Sequence, residues 1–271
     1  MLRQVAFALI LLVTTASAAL AEARMTVLVD VLRLREAVLI LRNEGLTSAE
    51  ALNQEMLLGR GGAGWQLQVE GIYDPDRMVE TVRSALTKGL TEAEVEEITR
   101  FYASDLGQKV VTLENSAREA MQDADVEAMA RQRFQDAKAA DEARMDYITH
   151  YIEAGDMISR NVTAALNSNL AFLKGLQDGG AVEMSEQEML DDVTGDLEES
   201  TEDTTEWLFG FLLLAYHPLE DEELDRYIAF SDSPAGLALN SALFDGFGRA
   251  YQEISYALGQ AVALNMTAEE L

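Results

Sequence analysis

"LTEAEVEEITRFYASDLG", residues 90–107, returns in altered form as "LEDEELDRYIAFSDSPAG", residues 219–236. Aligned without a gap, the pair keeps Leu90 with Leu219, Glu94 with Glu223, Phe101 with Phe230, Ser104 with Ser233 and Gly107 with Gly236. Thr91, with Glu94 three residues on, spells a capping box, in which two side chains satisfy backbone N–H groups left over at a helix start. Val95 stands where it can close a hydrophobic staple onto Leu90. The second copy keeps the staple with Leu219 and Leu224 but has Glu220 at the cap. After "FYAS" or "FSDS" a serine, Ser104 or Ser233, caps a new helix, and Pro234 takes the first helical position, where proline is tolerated. Gly107 and Gly236 fall in the first turn of that helix, where a missing side chain lets another helix cross closely. Each stretch reads as a helical corner. The copies differ where the first has Tyr102 and the second Ser231.

Outward from the corners the helical period continues. Met145, Ile148 and Ile152, then Ile158, Val162, Leu166, Leu170 and Leu173, recur at three- and four-residue spacing, as in helices that bury one stripe. Leu243, Phe247, Ile254 and Leu258 extend one apolar face beyond the second corner. The three prolines, Pro75, Pro218 and Pro234, fall between periodic segments, and no alternating run suits a sheet. The expected class is all-α. Two further helix starts have the same grammar, "LTSAEA" with Leu46, Thr47 and Glu50, and "MSEQEM" with Met184, Ser185 and Glu188. The repeated corner divides the chain into a first helical unit at 22–140 and a related second one at 141–271, each with a helix-corner-helix motif.

The corner pattern resembles the uncharacterised bacterial family known as domain of unknown function 2059, on "LTEAE" and "FYASDLG" in the first copy and "FSDSPAG" in the second. The resemblance implies an exported helical protein, in two copies. No activity is established for the family, so it implies no catalytic residues.

The opening "MLRQVAFALILLVTTASAALA", residues 1–21, has Arg3, an apolar run from Val5 to Val13 and a small-residue site allowing cleavage after Ala18 or Ala21. It reads as a secretory signal peptide, placing the protein in the periplasm or outside the cell. "WLFGFLLLAY", Trp207 to Tyr216, is half of the roughly 20 residues that a spanning helix needs, and suits a buried core helix. No integral membrane segment is expected after signal cleavage. The chain has no cysteine, so disulfides contribute nothing although export permits them. With 48 acids against 20 lysines and arginines, a net charge of −28, it repels nucleic-acid phosphates and anionic lipid, and no nucleic-acid partner is expected.

Candidate chemistry is sparse. "GRGGAG" spells a dinucleotide fingerprint with Gly59, Gly61 and Gly64 but follows a helix instead of a strand, so it reads as a connection, with Trp65 anchoring it to the core. From Gly175 to Asp225 there is no lysine or arginine, and Asp191, Asp192 and Asp196 do not follow the order of a calcium loop. That segment reads as a solvated acidic face. His150 and His217 lie far apart and carry no zinc or triad motif; His217 suits the end of the apolar helix, and His150 a helix surface. No catalytic residue, cofactor or metal site is assigned. The expected role is non-catalytic binding or scaffolding in the cell envelope, with an unknown protein as partner. A carrier of a small apolar ligand is the first alternative and an unrecognised hydrolase the second.

Overall fold

The computed structural model describes residues 19–140 and 142–267; most of the signal segment lies outside them. The regular structure is entirely α-helical among the described residues: α1 (19–31), α2 (Leu34–Met56), α3 (Gly62–Ile72), α4 (Pro75–Gly89), α5 (Glu92–Tyr102), α6 (Asp105–Ala120), α7 (Ala124–Ala140), α8 (Ala143–Ala154), α9 (Met157–Asp178), α10 (Glu186–Thr194), α11 (Leu197–Tyr216), α12 (Asp221–Ser231) and α13 (Pro234–Thr267). None of these helices is long and apolar enough to cross a membrane.

Capping fixes most of the starts. Asp74 accepts from Asp76 N (2.8 Å) and Arg77 N (3.1 Å) ahead of Pro75 at the first position of α4. Thr91 and Glu94 close their box at α5: Glu94 N donates to Thr91 Oγ1 (3.3 Å), and Thr91 N to Glu94 Oε2 (2.7 Å). Ser185 and Glu188 repeat it at α10. Thr47 does not start a helix. It lies inside α2 with its hydroxyl bonded back to Asn43 O (3.1 Å), because Gly45 and Ala49 are already buried on the face that continues through it. Tyr73 packs on Gly45, and uninterrupted burial outweighs a local cap. Trp65 anchors its loop as expected, buried with its indole N–H on Ala49 O (3.2 Å).

The two corners share one geometry. Ser104 Oγ accepts from Gly107 N (3.1 Å), and Ser233 Oγ from Gly236 N (3.1 Å). The role expected of the glycines needs correcting. A Cβ on Gly107 would sit on the carbonyl oxygen of Phe101, and one on Gly236 on that of Phe230. The close neighbour is the last turn of the preceding helix, so glycine closes the corner itself and does not admit a distant helix. Close crossing of two helices occurs at Gly175 and Gly259, where a Cβ on either would meet the backbone of the other helix, α13 or α9.

Helices α5 and α12 are both 11 residues long. Around them the packing is reciprocal: α4 lies on α13, and α11 lies on α6. Two hydrophobic clusters result. One gathers Val38, Val82, Leu86 and Ile98 with Leu239, Ala242, Ile254 and Val262 of α13; the other gathers Phe134, Ile148, Leu212, Tyr216 and Leu224 with Leu106 and Val110 of α6. Each cluster therefore draws on both sides of residue 140. Leu90 packs at the margin of the first, Leu219 lies inside the second, and Phe101 touches both.

Candidate functional site

The corners meet ring to ring. Phe101 stacks on Phe230, with centroids 3.9 Å apart and planes 4° from parallel, so equivalent positions of the two corners face each other. Tyr102 stands edge-on to both, at 5.3 Å from Phe101 and 5.7 Å from Phe230. Its counterpart Ser231 is too short to do this and instead bonds its hydroxyl back to Tyr227 O (3.0 Å). Lys109 of α6 also ties the two corners, through a 2.6 Å ion pair with Glu223 of α12. The Glu223 carboxylate accepts from Glu220 N (3.0 Å) as well.

Behind this contact, α6 turns Glu114 inward. Its Oε1 accepts hydrogen bonds from Tyr216 Oη (2.6 Å) and Tyr227 Oη (3.0 Å), which leaves Tyr151 Oη to donate to Tyr227 Oη at 2.9 Å. The three rings pack on one another with centroids 5.5 to 6.1 Å apart. Burial raises the Glu114 carboxyl above the usual carboxylate value, opposed by the two phenol bonds. Burial and then the neighbouring carboxylate push Tyr216 and Tyr227 well above the ordinary phenol value. A charged carboxylate loses its hydration here and recovers only part of it from phenols.

Glu114 borders a cavity of about 650 Å³ between α2, α6, α8, α9, α11 and α13. Its walls include Leu41, Met157, Leu208, Phe211, Leu212, Leu243, Phe244 and Phe247, with Asn161, Ser168 and Asn240 as scattered polar groups. At one side Arg118 and Glu44 form a two-pronged ion pair, Nε and Nη2 each 2.6 Å from a carboxylate oxygen. The guanidinium also lies 4.8 Å over Trp207, itself stacked on Phe211 at 5.2 Å. Glu44, Ser48, Arg118, Trp207 and Leu208 also line an adjoining groove bordered by Gln122, Glu127 and Asp203. Size, an apolar lining and a few converging polar groups are the usual attributes of a small-molecule site.

The residues singled out in the sequence thus frame this site without lining the large cavity. Leu90, Thr91, Glu94, Ser104, Gly107, Leu219, Glu223, Ser233, Pro234 and Gly236 build the corners; Phe101, Tyr102 and Phe230 join them. Tyr102, Phe230 and Gly236 reach only a smaller pocket of about 110 Å³ beside Glu114. Sequence reading passed over Glu114, Arg118, Glu44 and the tyrosines. The available signal was position: Glu114 follows Val110 and Val111 and precedes Ala117 at helical spacing, on the face that those buried residues share. His150 is exposed on α8, as expected, with its Nε2 2.7 Å from Asp232 Oδ2 beside the second corner. His217 follows the last residue of α11, as expected.

A family model described as "uncharacterized protein conserved in bacteria", domain of unknown function 2059, matches residues 76–136, which hold the first corner and helices α5 and α6 entire. The second corner lies outside that match. No curated protein matches the chain. No solved structure matches it.

Proposed function

We propose that this is an exported, non-catalytic binding protein of the bacterial cell envelope, and that what it binds is a small molecule held in the central cavity. The observation that carries this reading is a 650 Å³ space, mostly apolar, into which Glu114 opens. Export rests on the signal-like segment 1–21, and periplasmic or secreted placement follows from it. The strongly acidic surface argues against nucleic-acid partners. Absence of catalysis is part of the proposal: the hydroxyls held on the Glu114 carboxylate are phenols of Tyr216 and Tyr227 rings packed on one another in the core, a structural role for that contact.

The chain is further proposed to consist of two copies of one helical unit, 22–140 and 141–271, that exchange helices. Equal corner geometry, equal lengths of α5 and α12, and the reciprocal packing of α4 on α13 and α11 on α6 support this. Such an exchange would place the cavity between the copies.

Native mass spectrometry of the protein purified from its own host tests the binding role. Retention of a small molecule, and its loss from a Leu243→Trp variant that fills the cavity, is the expected result. A bare chain that also fails to take up Nile red would remove the small-molecule reading. A stoichiometric co-purifying protein would then put scaffolding in its place.

A further inference from the structure

We infer that the ligand of the central cavity is a small organic cation, an amine or quaternary ammonium on an apolar body, with its positive group against Glu114. This rests on the small-molecule reading above and narrows it to one chemical class.

The charge count inside the cavity points this way. Three charged side chains line it: Glu44, Glu114 and Arg118. Arg118 is held by Glu44 through two 2.6 Å bonds, so that pair is internally neutral. Glu114 has no cationic partner among the described residues. Its two phenol bonds both fall on Oε1. Oε2 accepts none, and it is not sealed among the buried polar atoms that lack a partner. Glu114 is enclosed by protein and still keeps open surface, because that surface faces the pockets it lines. A half-buried carboxylate that lines a cavity and has one oxygen without a protein donor favours a positive charge or a hydrogen-bond donor beside it.

The surroundings favour the charge. Tyr151 and Tyr216 line the cavity beside Glu114, with Tyr227 behind them, and aromatic faces attract cations more strongly once water is excluded. The lining also presents Leu243 and Phe247, suited to an alkyl or aromatic body. An anion would face Glu114 with Arg118, the one guanidinium that lines the cavity among the described residues, already engaged by Glu44. A divalent metal would want about six oxygen ligands, and the described residues bring no three histidines or acids together. The net charge of −28 draws cations toward the molecule from outside.

Isothermal titration calorimetry of the mature full chain with three probes of matched shape tests the inference: phenethylamine, phenethyl alcohol and phenylacetate. The expected order is amine tightest, by about tenfold or more over the alcohol, equivalent to about 1.4 kcal/mol, with phenylacetate weakest. Glu114→Gln, whose amide oxygen can still accept the phenol bonds, should abolish the preference and bring the amine down to the level of the alcohol measured on the same variant. Equal wild-type affinities for amine and alcohol, or a variant that keeps the preference, would overturn the cation assignment while leaving cavity binding intact. If Glu114→Gln does not fold, the wild-type comparison decides alone. Binding of none of the three, with no uptake of Nile red, overturns the small-molecule reading itself.

Discussion

Helices α6 and α13 leave equivalent corners and diverge on the faces that they turn to the cavity. Where α6 carries Glu114 and Arg118, the equivalent positions of α13 carry Leu243 and Phe247, and all four line the same space. The identical residues of the two corners, Phe101 with Phe230, Ser104 with Ser233 and Gly107 with Gly236, build each bend and join one corner to the other. The substituted ones give a cavity with one polar wall and one apolar wall. Sameness is spent on architecture and difference on the site. Tyr102 and Ser231 show this on a smaller scale. The tyrosine fills its side of the aromatic contact, and the serine leaves the room that becomes the small pocket beside Glu114.

The comparison breaks most severely at the glycines. Gly107→Leu and Gly236→Leu each place a Cβ on a carbonyl oxygen of the preceding helix, and backbone cannot rotate away as a side chain can. We expect each to destabilise the fold by about 3 kcal/mol or more, above the usual overpacking cost, and by similar amounts in the two corners. Thermal unfolding reads this as a loss of roughly 6 to 12 °C for a chain of this size. A small effect in one corner and a large one in the other would show that the corners are alike in sequence only.

The aromatic contact comes next. Phe101→Ala and Phe230→Ala should each cost about 2 to 3 kcal/mol, below the range for a fully buried phenylalanine because both rings are only half-buried. The double variant should cost less than the sum, with a coupling of about 1 kcal/mol for the direct stack. A double-mutant cycle in urea gives that number. Additive losses would mean that the halves are held by α4, α9, α11 and α13 alone.

Much of the corner was legible in the sequence, because capping is written within four residues. Thr91 with Glu94, Ser185 with Glu188, Ser104 and Ser233 each cap the helix that their spacing announces. Thr47 has the same spelling and fails, because the cap competes with burial of Gly45 and Ala49, which sequence-local rules do not see. The site was not legible for a related reason. Its lining comes from six helices separated by up to about two hundred residues, and Glu114 is one of 48 acids, distinguished only by standing on a buried face. The long-range facts that matter, the stacking of Phe101 on Phe230 and the reciprocal placing of α6 and α13, depend on how the copies assemble and are written in no single segment.

The serine caps should contribute less than the rings. Ser104→Ala and Ser233→Ala each remove an acceptor 3.1 Å from a glycine N–H, and about 1 kcal/mol is expected for each. Ser104 Oγ also bonds Phe101 O at 2.6 Å, so its loss should slightly exceed that of Ser233. Chemical denaturation at fixed m-value measures both.

The smallest expected effect concerns the polar wall and has the opposite sign. Burial raises Glu114 above its unfolded value, so the folded chain holds that proton more tightly than the unfolded one. Its contribution to stability is therefore fully present below the unfolded carboxylate range and is lost as pH rises through the raised folded value. Glu114→Gln cannot ionise and escapes that loss while its amide oxygen still receives Tyr216 and Tyr227. The variant should thus be slightly more stable than the parent at neutral pH, and the gap should close as pH falls toward the ordinary carboxylate value. Melting curves of both proteins across that interval check the sign. Phenethylamine should reverse the order at neutral pH, since it supplies the missing charge to the parent and not to the variant. A variant less stable than the parent at every pH would mean that the carboxylate holds the tyrosines together. The polar wall would then belong with the shared architecture, and the difference between α6 and α13 would no longer mark a binding site.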